Sequence, residues 1–201
     1  MFSFEEIDNL DSYDEKINYA NGHLEIISNE TGDTRVCFLL NEDKILKLAK
    51  DEEGLISNNV EKYYSDTKWS KLVEVFDYDQ DFFWIVCERS EPIDEERFEK
   101  ITGIDIDKFY QNLYVNRIWK FMSGATGIQE QKESDTEFDG FLRESRLNGI
   151  SKEILEKSEE LGFDTSDIPI IENLGLLKRG GKEEIVIRNY GMFDRRFRKF
   201  S

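Results

Sequence analysis

The chain has 201 residues, 44 of them acidic and 27 basic, and a formal net charge of −17. That balance argues against general binding to nucleic-acid phosphates or to an anionic membrane. With 38% hydrophobic and 13% aromatic residues there is enough apolar side chain to bury a core, which argues against disorder.

No apolar run approaches the roughly 18 residues that span a bilayer. The opening Met1-Phe-Ser-Phe-Glu-Glu lacks the basic start and apolar stretch of a secretion signal. Cys37 and Cys87 sit inside apolar runs and read as buried free thiols, so a cytoplasmic location without a disulfide framework is expected. His23 is the only histidine, too few for a histidine-rich metal site.

Residues 1–22 are polar and weakly patterned, although Phe2, Phe4, Ile7 and Leu10 could share one helical face. His23–Ser28 and Arg35–Leu40 read as strands on either side of a turn-like stretch, and Lys44–Ala49 as a third. Apolar residues at 55, 56, 60, 63 and 64 predict a helix over 54–66. Lys71–Phe76 and Phe82–Glu88 flank the Asp-rich Asp77–Asp81 and predict a hairpin. From residue 91 the pattern turns helical, with helices expected at Asp94–Ile101, Asp107–Met122, Glu137–Arg146 and Ser151–Leu161 and a loop at Ser123–Glu137. Ser151 has the chemistry of an N-cap and Gly162 that of a terminator. The late strands Gly175–Lys178 and Glu184–Arg188 are joined by the turn Arg179-Gly-Gly181. The order predicts a two-lobed α+β protein: a small antiparallel sheet with one helix over 1–90, then a helical region over 91–201 that ends in a hairpin and a basic tail.

Strand alternation places Ile45, Lys47 and Ala49 on one face, so the Lys47 amine points among apolar neighbours. With Glu61 on the next helix, Phe82–Glu88 leading into Arg89–Ile93, and Asn173 ahead of Asn189-Tyr190-Gly191, the chain resembles a small member of the protein-kinase-like superfamily. It is similar to the short kinase-like proteins of phages, which implies a viral protein directed at a host factor. The resemblance spans about residues 30–92 and 164–193. It implies a two-lobed fold in which Lys47 holds nucleotide phosphates, Glu61 pairs with it, Gly32 belongs to the phosphate-covering loop, Asn173 is the catalytic-loop asparagine and Asn189 stands in the metal-binding loop. ATP is the cofactor it implies.

Departures from the pattern point to impaired catalysis. The metal-binding position needs an aspartate to hold Mg²⁺, whereas Asn189 offers only a neutral carbonyl, so Mg²⁺ is not expected. No His-Arg-Asp occurs. The nearest candidate for the catalytic base is Asp167, six residues before Asn173, with Asp164 as the second choice. Asn29–Thr34 has one glycine, Gly32, where several are needed, and ten residues follow Gly191, too few for a peptide-docking segment. Plainer readings stand beside these: Lys47–Glu61 as an ordinary ion pair, Asn173 and Asn189 as turn and strand-end residues, and Trp69, Trp84 and Trp119 as packing residues.

Residues 178–200 carry eight basic and three acidic side chains, a local +5 that leaves −22 on the rest. The tail 193–200 alternates cations with aromatics, a composition that folds onto an acidic body or docks nucleic acid by stacking and charge. The expected function is that of a catalytically impaired kinase-like protein that binds a protein partner, without membrane binding and without nucleic-acid binding beyond the tail. Two alternatives remain: an acidic mimic of nucleic acid that inhibits a DNA- or RNA-binding protein, and an active small phosphotransferase with altered metal ligands.

Overall fold

Two short helices open the chain. α1 (Phe4–Asp8) is capped by Ser3, and α2 (Tyr13–Asn21) by a reciprocal box between Ser12 and Glu15. α1 is shorter than the stretch Phe2–Leu10, yet Phe2, Phe4, Ile7 and Leu10 all pack on one core, and a second helix follows in a stretch whose polar composition hides it. The computed structural model describes residues 1–27, 32–114, 149–162, 168 and 171–190.

The strands that follow are β1 (Glu25–Ile26), β2 (Arg35–Asn41), β3 (Lys44–Ala49), β4 (Val75–Tyr78) and β5 (Trp84–Glu88), with α3 (Glu52–Ser65) between β3 and β4. They form one antiparallel sheet in the order β1-β2-β3-β5-β4. β3 has the predicted bounds. β1 is shorter than expected, and the ladder of β4 begins at Val75 rather than Lys71. Lys71–Val73 are used elsewhere: Ile187 N–H donates to Lys71 O at 2.6 Å, and Val73 N–H to Ile187 O at 3.2 Å.

Period-2 alternation sorts the sheet into two unlike faces. Phe38 pairs with Leu46, Leu46 with Val86 and Leu48 with Trp84, and these side chains form a core with Ile7 of α1 and Ala20 of α2. Trp84 Nε1 donates to Asp8 Oδ1 at 2.7 Å, which ties α1 to the sheet. Cys37 lies opposite Lys47, Ile85 opposite Lys47 on the other side, and Cys87 opposite Ile45, so these residues share the second face. Both cysteines are buried and free.

β6 (Glu91–Pro92), β7 (Leu174–Arg179) and β8 (Lys182–Ile187) form a separate antiparallel sheet. The β7–β8 turn is Gly180-Gly181, with φ of +59° and +78°, the left-handed pair that a tight hairpin needs and glycine supplies. Contacts divide the chain into two units, Met1–Pro92 with Leu174–Ser201, and Ile93–Asn173. The late hairpin thus groups with the first sheet, whereas its place in sequence put it in the helical region. The reason is long-range pairing: besides the Ile187 bonds, the Arg179 guanidinium forms an ion pair with Glu88 and donates to Leu72 O at 3.2 Å.

In the second unit, α4 (Glu95–Thr102) begins at the cap Asp94, which accepts from Arg97 N–H at 2.8 Å, and ends at Gly103 with φ +76°. Residues 106–114 are helical, and the helix Gly149–Leu161 follows. Ser151 is not its cap: it lies inside the helix and is fully buried. Gly162, at φ +68°, follows the last helical residue as expected. Phe98, Phe109, Leu113, Ile154 and Leu155 are buried, with the Phe98 and Phe109 rings 5.1 Å apart. The expected features at 115–148 lie outside the described residues. No described helix is long and apolar enough to cross a membrane. The described residues form a mixed α+β protein built on antiparallel sheets.

Candidate functional site

The site is assembled by β2, β3 and α3. Asp51 caps α3 by accepting from Gly54 N–H at 2.8 Å. At residue 54 a Cβ would stand 2.4 Å from Thr34 O and 2.9 Å from Ala49 Cα, so only glycine lets the first turn of α3 lie this close to the strands. Gly54, Asn58, Glu61 and Ser65 then recur at helical spacing along the buried stripe of α3. At its far end, Ser65 Oγ accepts from Val75 N–H at 2.8 Å, which fixes the helix to β4.

Glu61 and Lys47 meet beneath the sheet, with Nζ to Oε2 at 2.8 Å and to Oε1 at 3.1 Å. The same amine donates to Arg188 O at 2.8 Å and faces Asn189 Oδ1 at 3.3 Å. A second cation joins them: Arg35 Nη1 is 2.7 Å from Glu61 Oε1. Arg35, Lys47 and Glu61 are 6%, 2% and 0% exposed, so this is a buried triad with two positive charges and one negative. Asn189 Oδ1 also lies 3.4 Å from Arg35 Nη2. Its carbonyl dipole is thus directed at both cations, which it partly compensates without adding charge.

The charges set the local titrations. Burial alone would raise the Glu61 carboxyl; the Arg35 guanidinium and then the Lys47 ammonium overcome this and hold it below the usual carboxylate range. Burial pushes the Cys87 thiol far up, with the Glu61 carboxylate adding to the effect against the pull of Lys47. Burial, reinforced by Glu61, also raises the Tyr190 phenol well above its ordinary value. Tyr190 donates to Val73 O at 2.9 Å, with Glu61 O a second acceptor at 3.3 Å. In the fold both groups are therefore favoured in their neutral forms.

The Lys47 amine has three protons and four protein acceptors within 3.3 Å. Its hydrogen-bonding capacity is spent inside the protein. Asn189, where the resemblance expects a Mg²⁺ ligand, does not fit one: a cation at its oxygen would face both Lys47 and Arg35. Among the described residues no three His, Cys, Asp or Glu side chains stand together as metal ligands do.

The structure brings Lys47, Glu61 and Asn189 together. It does not add Gly32 to them: Gly32 N–H donates to Arg35 O at 3.1 Å and Gly32 O accepts from Lys50 Nζ at 2.7 Å, and a Cβ there would meet nothing within 4 Å. Asn173 ends a 3₁₀ turn, Ile171–Asn173, as the last residue of the second unit. Asp164 and Asp167 lie outside the described residues, as does the tail 193–200. Sequence reading missed Arg35 and Asn58. The signals were present: Arg35 is a charge at the start of an apolar strand, in phase with Cys37, and Asn58 lies one turn before Glu61.

No protein-family model matches the chain, and no curated protein matches it. Among solved structures it is similar to the ternary complex of streptomycin, ATP and the aminoglycoside phosphotransferase APH(2'')-IIa, which has a protein-kinase-like fold. Identity is 18% and the TM-score 0.36, over 92% of this chain and 73% of the other. A TM-score of that size records a general likeness, and the geometry around Lys47 stands apart from it.

Proposed function

We propose that the chain is a kinase-like scaffold that has lost phosphoryl transfer and acts by binding a protein partner. The observation that carries this reading is the closure of Lys47, a residue 2% exposed whose amine is engaged by Arg188 O and Asn189 as well as by Glu61. In a kinase-type site that amine serves the nucleotide phosphates along with its helix glutamate; here a ligand would first have to displace Arg188 O and Asn189. Asn189 adds no charge for Mg²⁺ and faces two cations that oppose it. The Lys47–Glu61 pair is then a structural ion pair within the buried triad and not part of a phosphate site. The partner side of the reading is supported by the net charge of −17, which complements a basic surface.

Thermal unfolding in millimolar ATP, with and without Mg²⁺, tests the closed site. Binding at about 100 times Kd adds roughly 2.7 kcal/mol, and each kcal/mol raises Tm by roughly 2–4 °C in a chain of this size. The reading predicts no shift. A rise that vanishes in Lys47→Met would establish a working nucleotide site and overturn it. Affinity capture at low and high salt tests the partner. Enrichment of basic proteins over an inert acidic protein of equal charge, lost at about 0.5 M salt, supports charge-directed docking, and equal capture by both proteins contradicts it.

A further inference from the structure

Arg35 has no place in a two-residue lysine–glutamate pair, yet it makes the shortest ion pair of the buried triad. It lies on β2 opposite Ala49, and its guanidinium meets α3 at two successive turns. Nη1 is 2.7 Å from Glu61 Oε1 and 3.4 Å from Asn58 Oδ1. Asn58 in turn donates from Nδ2 to Phe82 O at 2.8 Å, on the approach to β5. Lys47 touches α3 through Glu61 alone, and its remaining contacts go to Arg188 O and Asn189 Oδ1, beyond the end of β8. The two cations share the Glu61 carboxylate and both reach Asn189 Oδ1, Arg35 through Nη2 at 3.4 Å and Lys47 at 3.3 Å; they differ in that Arg35 also meets Asn58 and Lys47 also meets Arg188 O. The two N–H groups of Arg35 Nη1 serve acceptors on neighbouring turns of α3, in a planar geometry that an ammonium on a flexible stem does not supply.

We propose that Arg35 is a latch that fixes α3 against β2 without any ligand, while Lys47 fixes the segment Arg188–Tyr190. The proposal rests on the reading of Lys47–Glu61 as a retained structural pair. It assigns the position of α3 to a contact made within the first unit, so that Glu61 still has a cationic partner when Lys47 is removed.

Amide hydrogen exchange on the full chain, without nucleotide, separates the two roles in Arg35→Met and Lys47→Met, which both keep an apolar stem in the buried space. Arg35→Met is expected to speed exchange in α3 by roughly tenfold or more, the factor for losing charge-assisted hydrogen bonds, with a smaller change over 186–190, where its one long contact to Asn189 Oδ1 is lost. Lys47→Met is expected to do the reverse. If Arg35→Met does not fold, Arg35→Lys carries the comparison. It keeps the charge near Glu61 but not the fork, so exchange should rise around Asn58 and not around Glu61. Equal loosening of α3 and 186–190 in both methionine variants, or wild-type protection throughout α3 in Arg35→Lys, would overturn the proposal. An ATP-dependent rise in Tm would count against the function reading and leave this exchange pattern unaffected, so the two can fail separately.

Discussion

One face of the five-stranded sheet is lined by Phe38, Leu46, Leu48, Trp84 and Val86 and covered by α1 and α2. The other brings Arg35 and Lys47 against Glu61 of α3. Both faces are buried, but they are held differently. The first relies on area removed from water, which is additive and indifferent to pH. The second takes two cations and a carboxylate out of water, a cost that good geometry only just repays, and replacing such groups by apolar ones is often neutral or stabilising. A triad of this kind is therefore weak evidence of stability, and its worth lies in fixing which elements meet.

Glu61→Gln strikes the charged face hardest. It removes the only carboxylate of the triad and leaves two buried cations facing each other, at a cost of about 3–5 kcal/mol, read by urea denaturation. Leu46→Ala on the apolar face costs a comparable amount, about 2–5 kcal/mol, so pH must distinguish them. Burial would raise the Glu61 carboxyl, but Arg35 and then Lys47 hold it below the ordinary carboxylate range in the folded protein. Its contribution is present above the unfolded value and is lost as pH falls through the folded one. Between wild type and Glu61→Gln the stability difference should shrink on acidification below about pH 4.5, by up to about 1.4 kcal/mol per pH unit. For Leu46→Ala the difference should stay constant.

Part of the charged face was legible in the sequence. The period of a strand over Lys44–Ala49 put Lys47 on the face of Ile45 and Ala49, and the kinase-like resemblance, not periodicity, singled out Glu61 on α3. What stayed hidden depends on long-range partners. Lys71–Phe76 has a strand's composition, but Lys71 and Val73 pair with Ile187 from the far end of the chain, so the β4 ladder starts only at Val75. The pairing of Arg35 stayed hidden, because the carboxylate it meets lies 26 residues later on an element whose packing the sequence does not show. Ser151 has good capping chemistry and still lies inside its helix. The kinase-like resemblance put Lys47, Glu61 and Asn189 in one list; the structure adds that the three are in contact and that the contact uses up the amine.

Tyr190→Phe is a smaller change at the same face. It removes the hydroxyl that donates to Val73 O at 2.9 Å and should cost about 1–2 kcal/mol, the value for leaving a buried acceptor unpaired. Burial, with Glu61 beside it, raises the phenol well above its ordinary value in the folded protein. The neutral form is therefore the one the fold favours, and its stabilisation is present below about pH 10 and lost as pH rises through the folded value. The alkaline limb of the wild-type stability curve should be steeper than that of Tyr190→Phe.

Asn189→Asp is the smallest change and has the opposite sign. A carboxylate 3.3 Å from Lys47 and 3.4 Å from Arg35 would neutralise the excess positive charge of the triad. After desolvation the net gain should be about 1 kcal/mol, a rise in Tm of roughly 2–4 °C. A fall in Tm would mean that the excess charge is already balanced by another group.

Engagement of the Lys47 amine by the protein itself can be read from nitrogen-15 NMR of the lysine side chains, where a buried, hydrogen-bonded ammonium shows protons that exchange slowly with water. Such a signal is expected for Lys47 in the ligand-free protein, beside that of Lys16, which is also buried and donates to Ile7 O at 2.7 Å; the Lys47 signal should be absent from Lys47→Met and unmoved by millimolar ATP with Mg²⁺. A Lys47 ammonium in fast exchange with water, or one whose signal shifts when nucleotide is added, would contradict that engagement.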